Sequence, residues 1–161
     1  MIIVDNFLSE EHFSIIKNTM ISESPFPWYR FDNISSYNEE QTDGCYFGHM
    51  FYIEHRPMSD YFDMLLPLLH KIDVKAIHRI KANLYTNPGK YALHDYHVDQ
   101  IFPHKGAIYY VNTNNGHTIL EDGTKIDSVE NRMVFFDSTK PHRSTTCSDE
   151  KFRVNINFNY F

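Results

Sequence analysis

Apolar and polar positions follow two different periods along the 161 residues of this chain, and the change falls near residue 76. Before it the spacing is helical. Phe13, Ile16 and Met20 recur three and four residues apart, as on the buried side of a helix. Ser9 stands where an N-cap belongs, Glu10 and Glu11 would occupy the positive first turn, and Leu8 is placed to staple against Phe13. A second helix is predicted from Ser59, with Phe62, Leu65, Leu66 and Leu69 facing inward and Pro67 kinking or splitting it. Pro25-Phe26-Pro27-Trp28-Tyr29 reads as an ordered aromatic loop, with Trp28 in the core.

From Ile77 onward the period is two. Ile80, Ala82 and Leu84 share one face of a strand, and Arg79, Lys81, Asn83 and Tyr85 share the other. The last segment alternates as strictly, with Val154, Ile156 and Phe158 against Arg153, Asn155, Asn157 and Asn159. Met133-Val134-Phe135-Phe136 reads as a buried strand, and hairpin turns are predicted at Asn114-Asn115-Gly116 and at Asp122-Gly123. Short strands separated by regular turns predict an antiparallel sandwich or barrel preceded by helices, an α+β chain that is mainly β.

Composition adds limits. The length suits one domain, 1–161, divided into a helical N-terminal part (1–75) and a β core (76–161). The 13 Phe and 11 Tyr reinforce the β reading. A formal charge of −6 argues against nucleic acid as a partner, and the apolar runs are too short to span a bilayer. The opening residues carry acids where an export signal needs bases. With only Cys45 and Cys147 present, a reducing cytoplasm is expected. Without export, the acceptor pattern Asn33-Ile34-Ser35 carries no meaning.

Ten histidines raise the prior for a metal site and also the rate of accidental motifs. His97 and Asp99 form one His-x-Asp, and chance yields on the order of one such match in a chain of this composition. On a strand, however, residues two apart share a face and can grip one ion. His94 has the wrong parity to join them and is expected, like His104 and His117, toward solvent or behind the ligands. A third ligand must come from another strand, and His142 follows the Met133–Phe136 run. Two imidazoles and one carboxylate leave coordination positions open, the facial arrangement of non-haem Fe(II) oxygenases. Two lone cysteines do not supply a closed zinc site. Beyond His142, Arg153 offers a planar fork suited to a carboxylate, whereas Arg143 should point away from the ion.

The order His97-x-Asp99, then His142, then Arg153 resembles the Fe(II)/2-oxoglutarate-dependent dioxygenases. Arg79–Tyr85 with Pro88-Gly89 and Tyr91, Gly106–Asn112, Asn115–Thr118, Asn131–Asp137 and the opening Val4–Ser9 look like the prolyl-4-hydroxylase-like branch. Tyr91 lies six before His97, where the family often has Tyr-x-x-His-x-Asp. The resemblance implies a double-stranded β-helix, or jelly roll, with the N-terminal helices packed on one sheet. It implies iron on His97, Asp99 and His142, and 2-oxoglutarate paired with Arg153 and hydrogen-bonded by Tyr85 and Tyr110. The implied reaction uses O₂ to hydroxylate an unactivated C–H and releases succinate and CO₂, with ascorbate as an optional reductant. Peptidyl proline is the first substrate implied, then an amino acid or other small molecule. The residues alone leave two alternatives, a cupin-like metalloenzyme without 2-oxoglutarate and a non-catalytic jelly-roll binding module. They leave the oligomeric state open.

Overall fold

The computed structural model describes residues 1–22, 25–32 and 45–161, so the Asn33-Ile34-Ser35 pattern lies outside the described residues. The elements run β1 (Ile2–Val4), α1 (Glu10–Ile21), β2 (Tyr29–Phe31), β3 (Tyr46–Ile53), β4 (Arg56–Pro57), a 3₁₀ turn (Phe62–Leu65), α2 (Leu66–Ile72) and β5 (Ile77–Thr86). Then follow β6 (Lys105–Tyr110), β7 (Asn114–Leu120), β8 (Lys125–Ser128), β9 (Arg132–Phe136), β10 (His142–Ser144) and β11 (Phe152–Tyr160). Among the described residues they form a large sheet ordered β1-β9-β6-β11-β5-β3-β2, with β4 on β3, and a small sheet ordered β10-β7-β8. All pairings are antiparallel. The small sheet faces part of the large one, as in a jelly roll.

The α1 helix begins where its cap residue dictates, with the Ser9 hydroxyl accepting from the His12 amide. Phe13, Ile16 and Met20 pack with Leu65, Leu68 and Leu69 onto the outer face of the large sheet, against Ile80, Ala82, Tyr109, Val154, Ile156 and Phe158. This is the predicted packing of helices on one sheet. Pro67 does split the second helical segment, sitting in the first turn of α2, where its missing N–H costs nothing. The segment starts at Phe62 rather than Ser59, and Leu66 is exposed while Leu68 is buried. The tighter 3₁₀ winding before the proline shifts the phase by part of a turn and exchanges those two positions.

Three expectations change. The part before residue 76 is not only helical, because β3 lies inside the large sheet between β5 and β2, and β1 closes the opposite edge against β9. β3 is covered on both faces, so its sequence shows no alternation to read. Asn114-Asn115-Gly116 is not a hairpin turn. It opens β7 with a bulge against β8, after the chain has crossed from the large sheet to the small one. Asp122-Gly123 is the predicted turn, joining β7 to β8 with Gly123 at φ 83°. Lastly, the segment carrying His97 and Asp99 is not a continuous strand. It touches the β10 region through two isolated bridges, Leu93 to Thr145 and His97 to His142.

Candidate metal centre and its pocket

Those two bridges are separated by four steps along one segment and three along the other, so one residue bulges between them. The bulge resets the alternation. His94, placed by parity outside the ligand set and expected toward solvent or behind it, is 2% exposed, its Nδ1 is 2.7 Å from the Ser144 hydroxyl and its ring lies on Tyr85. His97 then exchanges two backbone hydrogen bonds with His142, both 2.9 Å, which brings their ring centroids to 4.5 Å. The Asp99 amide donates to the Ser138 carbonyl, turning its carboxylate back to the same point. One ligand atom from each of His97, Asp99 and His142 lies within 4.8 Å of the others, so the three predicted residues do come together.

Their hydrogen bonds prepare them as donors to a cation. His142 Nδ1 is 3.0 Å from the Lys140 carbonyl and must carry its proton there. Its Nε2 is buried and without a partner. Burial, and then the neighbouring His142, push His97 down to about 4, so its imidazole is neutral at neutral pH. Burial works against charge on Asp99. Arg79 above all, then His142 and the Asn159 amide, nevertheless hold its carboxyl below the usual range. Arg79 Nη2 donates to one carboxylate oxygen at 3.0 Å and Asn159 Nδ2 to the other at 2.9 Å. Arg79 Nε also donates to the Asn159 side-chain Oδ1, which closes a ring of hydrogen bonds around the carboxylate. His104, bonded to Ser138 and near Asn159, stands behind this ring.

Arg153 lies at the other end of the inner faces of β5 and β11, paired with Tyr85 in the register. It is fully buried. Its Nε donates to the Ser128 hydroxyl at 2.8 Å and its Nη2 to the Thr118 hydroxyl at 3.1 Å, so it spans from the large sheet to the small one. The guanidinium is 5.5 Å from the Tyr85 ring and 5.6 Å from the Tyr110 ring. Tyr110 directs its own hydroxyl to Thr118. Arg153 Nη1 is buried with no partner, a donor that an anion would satisfy. A glycine is required at 116, because a Cβ there would stand 2.6 Å from Arg153 Cδ. A narrow cavity lined by Tyr85, His97, Thr118, His142, Arg143 and Asn157, among others, touches two of the three cluster residues and the threonine whose hydroxyl accepts from Arg153. Arg143, expected to point away from the ion, lays its guanidinium 4.4 Å from the Tyr96 ring but also lines this cavity, with its Nε buried and without a partner.

Sequence reasoning gave no role to Arg79, Asn159, Thr118 or Ser128. The polar stripe of asparagines on the last strand was the signal for Asn159. Thr118 and Ser128 gave none, since they meet Arg153 only through sheet-to-sheet contact.

No protein-family model and no curated protein matches the sequence. Solved structures do resemble the fold. A 2OG-Fe(II) oxygenase-family oxidoreductase from Burkholderia pseudomallei superposes with a TM-score of 0.72 at 10% identity, covering 99% of this chain and 84% of the other. A Trichoplax adhaerens prolyl hydroxylase, solved with a hypoxia-inducible-factor peptide, gives 0.67 at 14% over 99% and 82%. A Pseudomonas putida prolyl-4-hydroxylase gives 0.60 at 13% over 99% and 91%. The chain therefore has the jelly-roll fold of the 2OG-Fe(II) oxygenases, the prolyl hydroxylases among them. Among the described residues, no helix is long and apolar enough to cross a membrane.

Proposed function

We propose that this chain is an Fe(II)/2-oxoglutarate-dependent dioxygenase that hydroxylates an unactivated C–H of peptidyl proline or a small amino-acid-like compound. The observation that carries the reading is a pair of complementary groups on the inner faces of the sheets. The His97–Asp99–His142 cluster brings its ligand atoms within 4.8 Å of one another. Buried Arg153, with its Nη1 unsatisfied, lies further along β11. Its hydrogen-bond partner Thr118 and its neighbour Tyr85 line a cavity that His97 and His142 also line. The donor set fits a ferrous ion: two imidazoles and one carboxylate, with open positions on the remaining side. That ion, when bound, supplies O₂ activation coupled to the oxidative decarboxylation of 2-oxoglutarate to succinate and CO₂.

The chain's own residues do the rest. His97, Asp99 and His142 would hold the metal, with the Lys140 carbonyl fixing the His142 tautomer and the Arg79–Asn159 ring orienting the carboxylate. Arg153 would pair with the distal carboxylate of 2-oxoglutarate, flanked by Tyr85 and Tyr110 as further cosubstrate contacts, and Ile108 would close the cavity to water. Ascorbate would serve as a reductant, and a reducing cytoplasm suits both the free thiols Cys45 and Cys147 and a ferrous centre. The peptide reading is supported by the peptide bound to the Trichoplax neighbour. Anaerobic titration with Fe(II) and then 2-oxoglutarate tests the proposal. A visible metal-to-ligand charge-transfer band is expected. No band, with no succinate formed in air, would overturn it.

A further inference from the structure

The inner face of β5 presents Arg79, Lys81, Asn83 and Tyr85 toward the site, and three of the four are engaged there. Arg79 is committed to Asp99 and Asn159. Asn83 donates to Asn155 across the sheet, and Tyr85 lies against the Arg153 guanidinium. Lys81 is different. Its ammonium sits between two aromatic rings, 4.1 Å from the Phe31 centroid and 4.7 Å from that of Tyr46, and donates to the Tyr46 hydroxyl. Among the described residues it has no carboxylate partner. Gly48 makes the cage possible, since a Cβ there would stand 2.8 Å from the Phe31 ring and 2.9 Å from Lys81 Cε.

A partly desolvated ammonium without a counter-ion is costly. Burial first, then Arg79, draw the Lys81 pKa down to about 8, with Asp99 opposing, so the group remains mostly protonated at pH 7 and ready to meet an anion. The cage opens into a cavity of about 140 Å³ lined by Tyr46, Arg79, Lys81, Tyr85, His97, Asp99 and Asn157, among others, so it is walled by two of the three cluster residues. Lys81 pairs with Asn157 and Tyr85 with Arg153, so the two cations stand four residues apart along the sheet, roughly 13 Å. Cosubstrate anchoring at Arg153 therefore leaves Lys81 unused. A dry cavity of about 150 Å³ holds benzene, so the volume here suits an amino-acid-sized group.

We propose that Lys81, in its Phe31–Tyr46 cage, binds a carboxylate of the substrate, so that the compound hydroxylated is an acid presented as a free amino acid or as the C-terminus of a short peptide. This rests on the dioxygenase reading and sharpens its substrate class. A carboxylate there would satisfy the ammonium, while the buried Asn157 Oδ1, which lacks a partner, would accept an N–H from the same molecule.

The test uses the full chain with Fe(II), 2-oxoglutarate and O₂, and follows succinate release. Its probes are the L-amino acids and a set of proline-containing tripeptides, each as the free acid and as the matched carboxamide. At least one acid should stimulate release and its carboxamide should not. A response among amino acids places the carboxylate on a free metabolite, and one confined to tripeptides places it at a chain terminus. Lys81→Met should raise the apparent KM for the responding acid about 10- to 100-fold, and Lys81→Arg should recover most of that loss. Saturation-transfer NMR on the metal-free chain should show the same preference for acid over amide. The thermal melt of each variant reports whether it has folded, and Tyr46→Phe, which keeps the cage ring, should raise KM less than Lys81→Met. Carboxamides equal to acids, no response to any acid, or a folded Lys81→Met with unchanged KM would overturn the proposal. If the wild-type chain forms the charge-transfer band and yet shows no acid preference, this inference fails alone. If the band is absent, the dioxygenase reading fails first.

Discussion

The two faces of β11 divide the molecule's work. On the outer side Val154, Ile156 and Phe158 are buried against α1 and α2 in an apolar core, each adding burial free energy of about 1.5–3 kcal/mol. On the inner side Arg153, Asn155 and Asn159 are buried as completely, yet they are polar and are retained only because hydrogen bonds meet most of their atoms. One strand thus carries stability on one side and the candidate site on the other, and it stays ordered because the first compensates the second. β5, its neighbour, repeats the division with Ile80 and Ala82 outside and Arg79, Lys81 and Asn83 inside. Buried polar faces of this kind mark a site, since a face built only for stability would not retain unsatisfied atoms such as Arg153 Nη1.

The sharpest way to break the comparison is at the metal cluster. His97→Ala or Asp99→Ala should abolish Fe(II) binding and turnover while leaving the cooperative melt in place, because the apolar face is untouched. His94→Ala should keep iron binding, as His94 packs on Tyr85 and Ser144 outside the triad. Fe(II) titration by equilibrium dialysis decides. The opposite result, His94→Ala losing iron and His97→Ala keeping it, would reverse the ligand assignment.

On the outer face, Phe158→Ala should cost about 3–5 kcal/mol of stability, read from urea unfolding, while the folded fraction still binds iron. The inner face should answer in the other currency. Arg153→Met, which keeps bulk but removes the donors, should weaken 2-oxoglutarate binding by about 2–5 kcal/mol, measured as the dissociation constant with Fe(II) under nitrogen. Arg143→Ala should change it little, its guanidinium lying on Tyr96.

A smaller effect separates the faces by pH. In the metal-free chain His97 is held neutral down to about 4, whereas in the unfolded chain it titrates near its ordinary 6.5. Below that upper value the unfolded state takes up a proton that the folded state refuses. Stability should therefore fall as pH drops from about 6.5 toward 4 and level off below. His97→Gln should flatten that part of the urea midpoint–pH curve, and Phe158→Ala should leave its shape unchanged.

Much of this was legible in the residues themselves, for identifiable reasons. Strict alternation in Arg79–Tyr85 and Arg153–Tyr160 reflects chemically different faces. Ser9 and Pro67 mark helix boundaries by local chemistry alone, and the spacing of His97, Asp99, His142 and Arg153 survives as linear order. β3 was not legible, because a strand covered on both sides has no polar face to mark it. Nor was the true orientation of His94, because a single-residue bulge depends on how two distant segments pair.

By itself, then, the sequence determined the periodicities, the capping signals and the candidate ligand residues, all of them encoded within a few bonds of each residue. Only the tertiary structure decided which side chains share a cavity. It brought Thr118 and Ser128 from the small sheet to Arg153 and set Arg79 and Asn159 around Asp99. It also closed Phe31 and Tyr46 over Lys81. Those contacts join residues far apart along the chain, and they exist only after the burial of the apolar outer face has fixed the sheets in register.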